Sequence, residues 1–244
     1  MNSRRTFLTI TAAALAMPKF SWAANEVPTL LDHILLGCND LDRGIRFIEE
    51  RSGVRAAFGG IHPGAGTQNA LLALGTRRYL EIIAPDPKQS SVEQYSIITK
   101  LKEPRLIGWA VHRDDLDEFA ARLRQEGIEF EGPQPGSRQR PDGKVLHWKA
   151  LRLKDDHDGV LPFFIEWSKD SVHPSVDAPK GCTLWKFGAA APKAEDLLLV
   201  ARRVHVDLSI STGNEASFRA IIGGPNGGFI VTSQVPISSD VIGN

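Results

Sequence analysis

The chain has 244 residues, 42% of them hydrophobic, and its 29 Lys and Arg balance its 29 Asp and Glu, so the formal net charge is zero. This is the composition of a globular chain that is long enough to bury one large core or two small ones. The neutral balance excludes a general electrostatic attraction to nucleic acid or to an anionic membrane surface, and it favours a small-molecule ligand as the partner.

Residues 1–23 are predicted to be an export signal. The segment Ser-Arg-Arg-Thr-Phe-Leu at residues 3–8 resembles a twin-arginine signal, and the apolar stretch 7–17 is too short to span a bilayer. Small residues before the end of this segment predict cleavage after Ala23. We therefore expect a periplasmic protein with no stable membrane insertion after cleavage, and an uncleaved anchor is the alternative.

The first predicted element after the signal is a buried strand. Residues 30–37 form a short apolar run, rich in Ile and Leu, that ends at a glycine. A helix is predicted directly after it, with Asn39 or Asp40 as the N-cap and Gly53 just beyond its end. His33 lies inside this strand and is the first candidate for a functional side chain.

The chain contains an internal repeat. Residues 31–42 and 106–117 both run from an apolar strand through polar residues into Asp-Leu-Asp at the start of a helix, and the second helix is predicted to end at Gly127. In both copies the helix is followed later by a strand, a turn and a strand with one carboxylate among apolar residues. The repeated unit is therefore strand, helix, strand, strand, strand.

These units give the predicted domain organisation. The signal is followed by a first module at residues 30–86 and a polar connection with a short helix at 87–104. A second module follows at 105–170, and a degenerate third copy of weaker register at 183–235. In the third segment, strands are predicted at residues 184–187, 204–209, 217–222 and 229–232, with a helix at 192–201. The protein could also form a homodimer, in which segment 183–233 of one subunit pairs with the same segment of the other.

Cys38 and Cys182 are the only cysteines. Two cysteines in an oxidising compartment can pair, but their spacing alone does not assign a disulfide. We expect two buried free thiols, because Cys38 closes a predicted core strand. The absence of a Cys-x-x-Cys motif argues against a thiolate zinc site.

The repeated unit, with Asp-His at residues 32–33 and Tyr-Leu-Glu at residues 79–81, resembles the vicinal oxygen chelate superfamily. Residues 59–71 and 162–167 look like its glyoxalase-like domain branch. The resemblance covers residues 30–235 and implies an α+β fold, in which paired βαβββ modules curl their sheets around a cup. It also implies a divalent ion on the first and last strands of each module, to which two neighbouring substrate oxygens bind.

On this pattern the metal ligands fall on His33, Glu81 and Glu166, whereas the fourth position falls on Gly108 and has no side chain. One imidazole and two carboxylates suit iron(II), manganese or zinc. His62 is a candidate for the missing nitrogen ligand. The alternative is a cup without metal, in which His33 is hydrogen-bonded to Glu81 and Glu166 is paired with an arginine.

Strand alternation gives an independent reason to expect an inward cluster. It places each candidate ligand with apolar neighbours: His33 with Leu31 and Leu35, Glu81 with Tyr79 and Ile83, and Glu166 with Phe164. A carboxylate on such a face is unfavourable unless a cation or a donor meets it, and two facing carboxylates repel each other. A shared metal would remove both costs.

The other candidates are expected to line the cup as acid–base or ligand-binding residues: His62, Thr67, Asn69, Trp109, Arg138, Arg140 and Trp148. His62, in a glycine-rich loop that ends at Thr67, is expected to act as a general acid or base beside Glu81. Asn69 offers a directional hydrogen bond, and the two indoles favour a planar or apolar ligand. The two arginines belong to a Gly- and Pro-rich segment, 131–144, that is predicted to be a loop acting as a lid over a substrate carboxylate. Tight turns, core packing and solvated loops are the alternatives for these residues, and His112, His157, His173 and His205 are expected to be structural or exposed.

Two functions follow from these features. The leading hypothesis is an exported glyoxalase-like protein that binds a small ligand with vicinal oxygens, with metal-dependent lyase, isomerase or dioxygenase chemistry. The competing hypothesis is a binding protein without metal or catalysis, which holds an aromatic or hydrophobic compound against Trp109 and Trp148.

Overall fold

A computed structural model describes residues 27–90 and 96–234. The predicted export signal, residues 1–23, and the last residue of the predicted third segment lie outside the described residues. No helix within the described ranges is long and apolar enough to cross a membrane.

The chain forms two successive groups of a strand, a helix and three strands, followed by a C-terminal group. The first comprises β1 (Leu31–Gly37), α1 (Leu41–Ser52), β2 (Ala57–His62), β3 (Thr67–Gly75) and β4 (Arg78–Pro85). After α2 (Ser96–Thr99), the second comprises β5 (Arg105–His112), α3 (Leu116–Gln125), β6 (Phe130–Gln139), β7 (Val145–Leu153) and β8 (Phe163–Trp167). The last comprises α4 (Pro174–Asp177), β9 (Thr183–Ala191), α5 (Ala194–Arg203), β10 (Ile210–Thr212), β11 (Ser217–Gly224) and β12 (Gly227–Thr232).

The first two groups close into one barrel, in the order β1-β4-β3-β2-β6-β7-β8-β5. Each group supplies four adjacent strands, and the groups meet where β1 pairs with β5 and β2 pairs with β6. The remaining strands form a separate sheet in the order β10-β9-β11-β12. The predicted α+β fold with curled sheets around an interior is confirmed.

The helix after β1 begins and ends as its sequence predicts. Asp40 has an extended conformation, and its carboxylate accepts a hydrogen bond from the backbone N–H of Arg43. Gly53 adopts the left-handed conformation, with φ 76°, just after the last turn. Ile45 and Ile48 face the core from the buried side of this helix.

The pairing of β1 with β5 contains a bulge. The register shifts between Leu31 and His33, which leaves Asp32 without a partner of its own. A bulge of this kind re-aims the side chains beside it. Leu31 therefore packs in the core outside the barrel, while His33 and Leu35 face the interior. The prediction that Leu31 shares the face of His33 is wrong, because simple alternation assumes that no residue is inserted.

The main apolar core lies outside the barrel, between its wall and the layer formed by the helices and the C-terminal sheet. Trp109 belongs to this core: its indole N–H donates to the carbonyl of Val160 at 2.9 Å, and its ring lies 4.9 Å from that of Phe187. Cys38 and Cys182 are both buried free thiols, as expected.

Segment 131–144 is mostly strand rather than the predicted loop. Residues up to Gln139 pair with β7, with a register shift between Glu131 and Gln134. The shift accommodates the glycine and proline residues that suggested a loop. In the C-terminal group, residues 204–209 precede β10 rather than forming a strand, and β9 extends to Ala191, beyond the predicted strand. A third repeat therefore stays a prediction, although the element order of this group is strand, helix and three strands.

Candidate functional site

A single carboxylate lies between two imidazoles inside the barrel. Glu81 projects from β4 and has only 7% of its surface exposed. Its Oε2 lies 3.6 Å from Nε2 of His33, and its Oε1 lies 3.6 Å from Nε2 of His62. Asn69 donates to Oε1 at 2.8 Å. Three proton-carrying groups thus face one another, with separations between the carboxylate and each ring that exceed a direct hydrogen bond.

Arg138 adds a buried cation beside this group. Its side chain is 4% exposed, and it crosses from β6 over the glycine pair of β2 to bring Nη1 within 3.5 Å of Asn69 Oδ1. A Cβ atom on Gly59 would lie 2.9 Å from that nitrogen, and one on Gly60 would lie 3.3 Å from Arg138 Cγ. The two glycines therefore leave the space that the guanidinium side chain needs. Nε of Arg138 is buried and has no hydrogen-bond partner within the described part of the chain.

Burial and mutual charge shift the pKa values at this site. Burial lowers the pKa of His62, which keeps its imidazole neutral. Burial raises the pKa of Glu81, but favourable electrostatic interactions with His62 and His33 and the hydrogen bond from Asn69 outweigh it, so the net pKa is below its ordinary value. Burial likewise lowers the pKa of Arg138. The site therefore combines an ionised carboxylate with an imidazole that can accept a proton.

Asp32 is the centre of a second buried network, behind His33. Its Oδ1 accepts from Nδ1 of His33 at 2.7 Å, and its Oδ2 accepts from Trp167 Nε1 and from His173 Nε2, each at 3.1 Å. Burial raises the pKa of Asp32, but the hydrogen bonds from His173 and His33 outweigh it and hold the pKa well below its usual range. Because an ionised carboxylate only accepts, Nδ1 of His33 carries a hydrogen and Nε2 faces Glu81.

One end of the interior is closed by aromatic and apolar side chains. Tyr79 stacks on His33 with ring centroids 4.6 Å apart, and it packs with Ala73 and with Ala178, which follows α4. The backbone N–H of Ala73 donates to the carbonyl of Pro179 at 2.9 Å, which fixes this segment to β3. The imidazole network is thereby shielded from water on this side.

The cavity itself has a volume of about 820 Å³ and is lined by both halves of the barrel. The second half contributes an aromatic wall, in which the rings of Trp148 and Trp167 lie 5.4 Å apart. Trp148 lies across Gly136, where a Cβ atom would collide with the indole ring. Phe163 and Ile165 complete an apolar surface that faces the polar groups of the first half.

The structure brings together most of the residues predicted from the sequence, but three lie elsewhere. His33, His62, Asn69, Glu81, Arg138 and Trp148 line the cavity, and Thr67 supports His62 through a 2.9 Å hydrogen bond to its Nδ1. Trp109 is in the outer core, because its position on β5 faces the C-terminal sheet. Arg140 is bound by Asp177 at 2.6 Å rather than lining the cavity.

Glu166 is the third residue that lies elsewhere. Its Oε2 accepts from the backbone N–H of Leu116 at 2.7 Å, at the start of α3. The cavity-facing residues of β8 are Phe163, Ile165 and Trp167. The prediction that Glu166 lies on the inner face is wrong, because the strand is shifted by one residue relative to its counterpart in the first module. Such a shift turns every side chain of the strand to the opposite face.

The donor set predicted for a divalent ion is therefore not assembled. Of its three side chains, His33 and Glu81 converge and Glu166 does not. Within residues 27–90 and 96–234, no group of three or more His, Cys, Asp and Glu side chains is arranged to hold a metal ion. The nearest alternative set combines His33, Glu81 and His62. In that set Glu81 already accepts a hydrogen bond from Asn69, and the buried cation of Arg138 lies close by and would repel a metal ion. These residues do not fit the implied metal.

Four residues of the site were missed by sequence reasoning: Asp32, Tyr79, Trp167 and His173. For Tyr79, alternation correctly predicts the inner face that it shares with Glu81, but Tyr79 is not among the residues predicted to form the site. Asp32 is visible as a second polar residue in an apolar strand, but only the bulge brings it to the side of His33. His173 precedes a four-residue helix far along the chain, and no local pattern links it to β1.

Comparisons with known proteins bear on the fold and the family. The sequence model of the family described as Glyoxalase-like domain matches residues 31–202. A hypothetical protein from Staphylococcus aureus is similar in structure, with a TM-score of 0.59 and 18% identity over 83% of this chain and 84% of that chain. Methylmalonyl-CoA epimerase from Streptomyces coelicolor, in complex with 2-nitronate-propionyl-CoA, gives a TM-score of 0.44 and 24% identity over 59% of this chain and 99% of that one. Methylmalonyl-CoA epimerase from Mycobacterium tuberculosis gives a TM-score of 0.39 and 22% identity over 59% of this chain and 91% of that one. No curated protein matches the chain.

Proposed function

Because the chain belongs to the glyoxalase-like domain family, we propose that the interior of its barrel binds a small oxygenated organic anion and transfers a proton on it. The reaction class is isomerisation or elimination next to a carbonyl or carboxylate group.

The observation that carries the proposal is the state of Arg138. A buried guanidinium is unfavourable unless its charge and its N–H donors are met by acceptors. Within the described residues, Arg138 has no carboxylate at ion-pair distance, its Nε is unpartnered, and its contact with Asn69 is a long one at 3.5 Å. A carboxylate or enolate oxygen of a ligand would supply the missing acceptors.

The chemistry next to this anion site is proton transfer. Glu81 is ionised and lines the cavity, so a C–H or O–H group of a bound ligand can lie against its carboxylate, next to the two imidazoles. It would accept the proton, while Arg138 binds the oxygen on which negative charge develops. His33, oriented by Asp32, and the neutral His62 are then placed to exchange that proton with Glu81.

Solvent hydrogen exchange tests this proposal directly. Purified protein is incubated in D₂O with a panel of hydroxy, oxo and branched carboxylic acids, and deuterium incorporation is followed by NMR. We expect incorporation with the wild type, its loss in Glu81→Gln, and loss of acid binding in Arg138→Met. Arg140→Met is the matched control, because that arginine pairs with Asp177 instead of lining the cavity. Equal binding by Arg138→Met and the wild type would contradict the proposal.

A second candidate is supported by the aromatic wall. Trp148 and Trp167 offer adjacent ring faces to a planar ligand. A non-catalytic binding protein would quench the fluorescence of these indoles on ligand addition, without any deuterium incorporation, and Glu81→Gln would bind as tightly as the wild type.

We further propose that the protein is exported through the twin-arginine pathway and acts in the periplasm. The support is the sequence of residues 3–8 and the short apolar stretch behind it. Replacement of both Arg4 and Arg5 by Lys should retain the protein in the cytoplasmic fraction. Equal amounts in the periplasm for both forms would exclude this route.

Self-association through the C-terminal sheet is also a proposal. Trp185 and Ile230 of this sheet are 50% and 54% exposed, although both are large apolar side chains. Light scattering over a range of concentrations should show a dimer in the wild type and a monomer in a variant with Ser at both positions. A monomeric wild type at high concentration would contradict it.

A further inference from the structure

A second arginine lines the same cavity from the other half of the barrel. Arg152 lies on β7, and its guanidinium carbon is 4.3 Å from the centroid of the Phe163 ring. Its cross-strand neighbour on β6 is Glu131, yet no ion pair joins them, and no described carboxylate pairs with Arg152. A guanidinium stacked on an aromatic face keeps its N–H donors free at its edge. Arg152 is therefore half-buried, cationic and available to an anion.

The two arginines lie far apart along the ribbon formed by β6 and β7. Arg138 on β6 is paired with Leu146 on β7, and Arg152 lies six residues after Leu146 on β7. At the rise of a β-strand this corresponds to about 20 Å between backbone positions. Their side chains also point to different halves, since Arg138 reaches Asn69 in the first half and Arg152 covers Phe163 in the second.

An apolar strip lies between the two cations. It is formed by Trp148 and Ala150 on β7 and by Ile165 on β8, while Gln134, Ser137 and His147 add polar groups to the same stretch of the cavity lining. Arg152 and Phe163 also line a second cavity of about 680 Å³ on the side of the C-terminal sheet. Arg152 and Phe163 thus lie between the two cavities and contribute to the lining of both.

From this arrangement we infer that the ligand is an elongated dianion, with one acidic group at Arg138, an apolar spacer along Trp148 and Ala150, and a second acidic group at Arg152. The inference rests on the proposed function, because the first acidic group is the one that the proton-transfer site binds. It adds the substrate class: a long-chain diacid, or a molecule with two acidic ends of similar separation.

The test measures how affinity depends on ligand length and charge. Straight-chain α,ω-dicarboxylates from succinate to hexadecanedioate, and the monocarboxylates of matching length, are titrated against the full-length protein by calorimetry. We expect an optimum among the long diacids, where the diacid binds about tenfold or more tightly than its monocarboxylate, as for a hydrogen-bonded charged group. Diacids that bind no better than monocarboxylates at every length would overturn the inference, and this comparison needs no variant.

Variants separate the two subsites. Arg152→Met should lower the affinity for the best diacid about tenfold and leave the monocarboxylate unchanged, whereas Arg138→Met should weaken both. Lys149→Met is the matched control, because it removes a positive charge from the same strand, where Lys149 pairs with Asp117. An unchanged diacid affinity in a folded Arg152→Met protein would refute the second subsite alone. Loss of the Arg138 dependence would instead refute the proposed function.

Discussion

Replacement of Asp32 by Asn tests whether the buried network behind His33 stabilises the protein as an ionised carboxylate. The two carboxylate oxygens accept hydrogen bonds from three side chains: His33, Trp167 and His173. An amide keeps one accepting oxygen and presents an NH₂ group in place of the other. Whichever way the amide is turned, at least one donor meets a donor, unless His33 changes its tautomer.

The expected cost follows from these contacts. Hydrogen bonds to a charged group contribute about 1.5–3 kcal/mol each, and the amide retains some of them in weakened form, so we expect a loss of about 2–3 kcal/mol. The low pKa of Asp32 shows that its donors outweigh the cost of burying the charge, so removing the charge should not compensate. For a domain of this size the loss corresponds to a Tm lower by about 4–12 °C.

The measurement is chemical and thermal unfolding followed by tryptophan fluorescence, with Asp170→Asn as the control at an exposed carboxylate. The pKa of Asp32 is lowered on folding, so its contribution is fully present above its unfolded pKa. The difference between wild type and Asp32→Asn should therefore be constant at neutral pH and narrow only below about pH 4. If Asp32→Asn has the same denaturant midpoint and Tm as the control variant, the assignment of Asp32 as an ionised, stabilising acceptor is refuted.

Three further predictions concern the helix cap, the aromatic wall and the thiols. Asp40→Ala removes the N-cap of α1 and should cost about 1 kcal/mol in urea unfolding, and an unchanged midpoint would show that the cap is not formed. Gly136→Ala places a methyl group against the indole of Trp148, so it should lower stability by about 1–3 kcal/mol and shift the emission of that indole, whereas wild-type fluorescence would mean that the ring lies elsewhere. Cys38 and Cys182 should both react with a thiol reagent after unfolding without reductant, and a reductant should leave the Tm unchanged; fewer than two reactive thiols would indicate a disulfide.

The sequence predicts the fold well because the repeated units carry strong local signals. The cap at Asp40 and the terminating Gly53 fix the first helix, and alternation correctly places Glu81 on the inner face. Within the first module, the parallel pairing of β1 with β4 then brings Glu81 and His33 together. These parts of the site depend on short-range pattern and on one known topology.

The rest of the site depends on local irregularities that composition does not encode. An inserted residue in β1 turns Asp32 toward His33, and a shift of one residue in β8 turns Glu166 out to α3. Strand β6 forms despite its proline and glycine residues, because it pairs with β7 along its length. His173 joins the network only through the tertiary path of the chain.

The closure of the barrel has a consequence for any attempt to divide the protein. Each half has two border strands that pair on their outer side only with the opposite half. β1 pairs with β5 along most of its length, and β2 pairs with β6 at Ile61 and Gln139. A fragment ending near residue 90 would therefore have two unpaired edge strands, and it should dimerise through them or aggregate. The hydrophobic and acid–base walls of the cavity would then be duplicated instead of facing each other, so a self-paired fragment could fold and still have no working site.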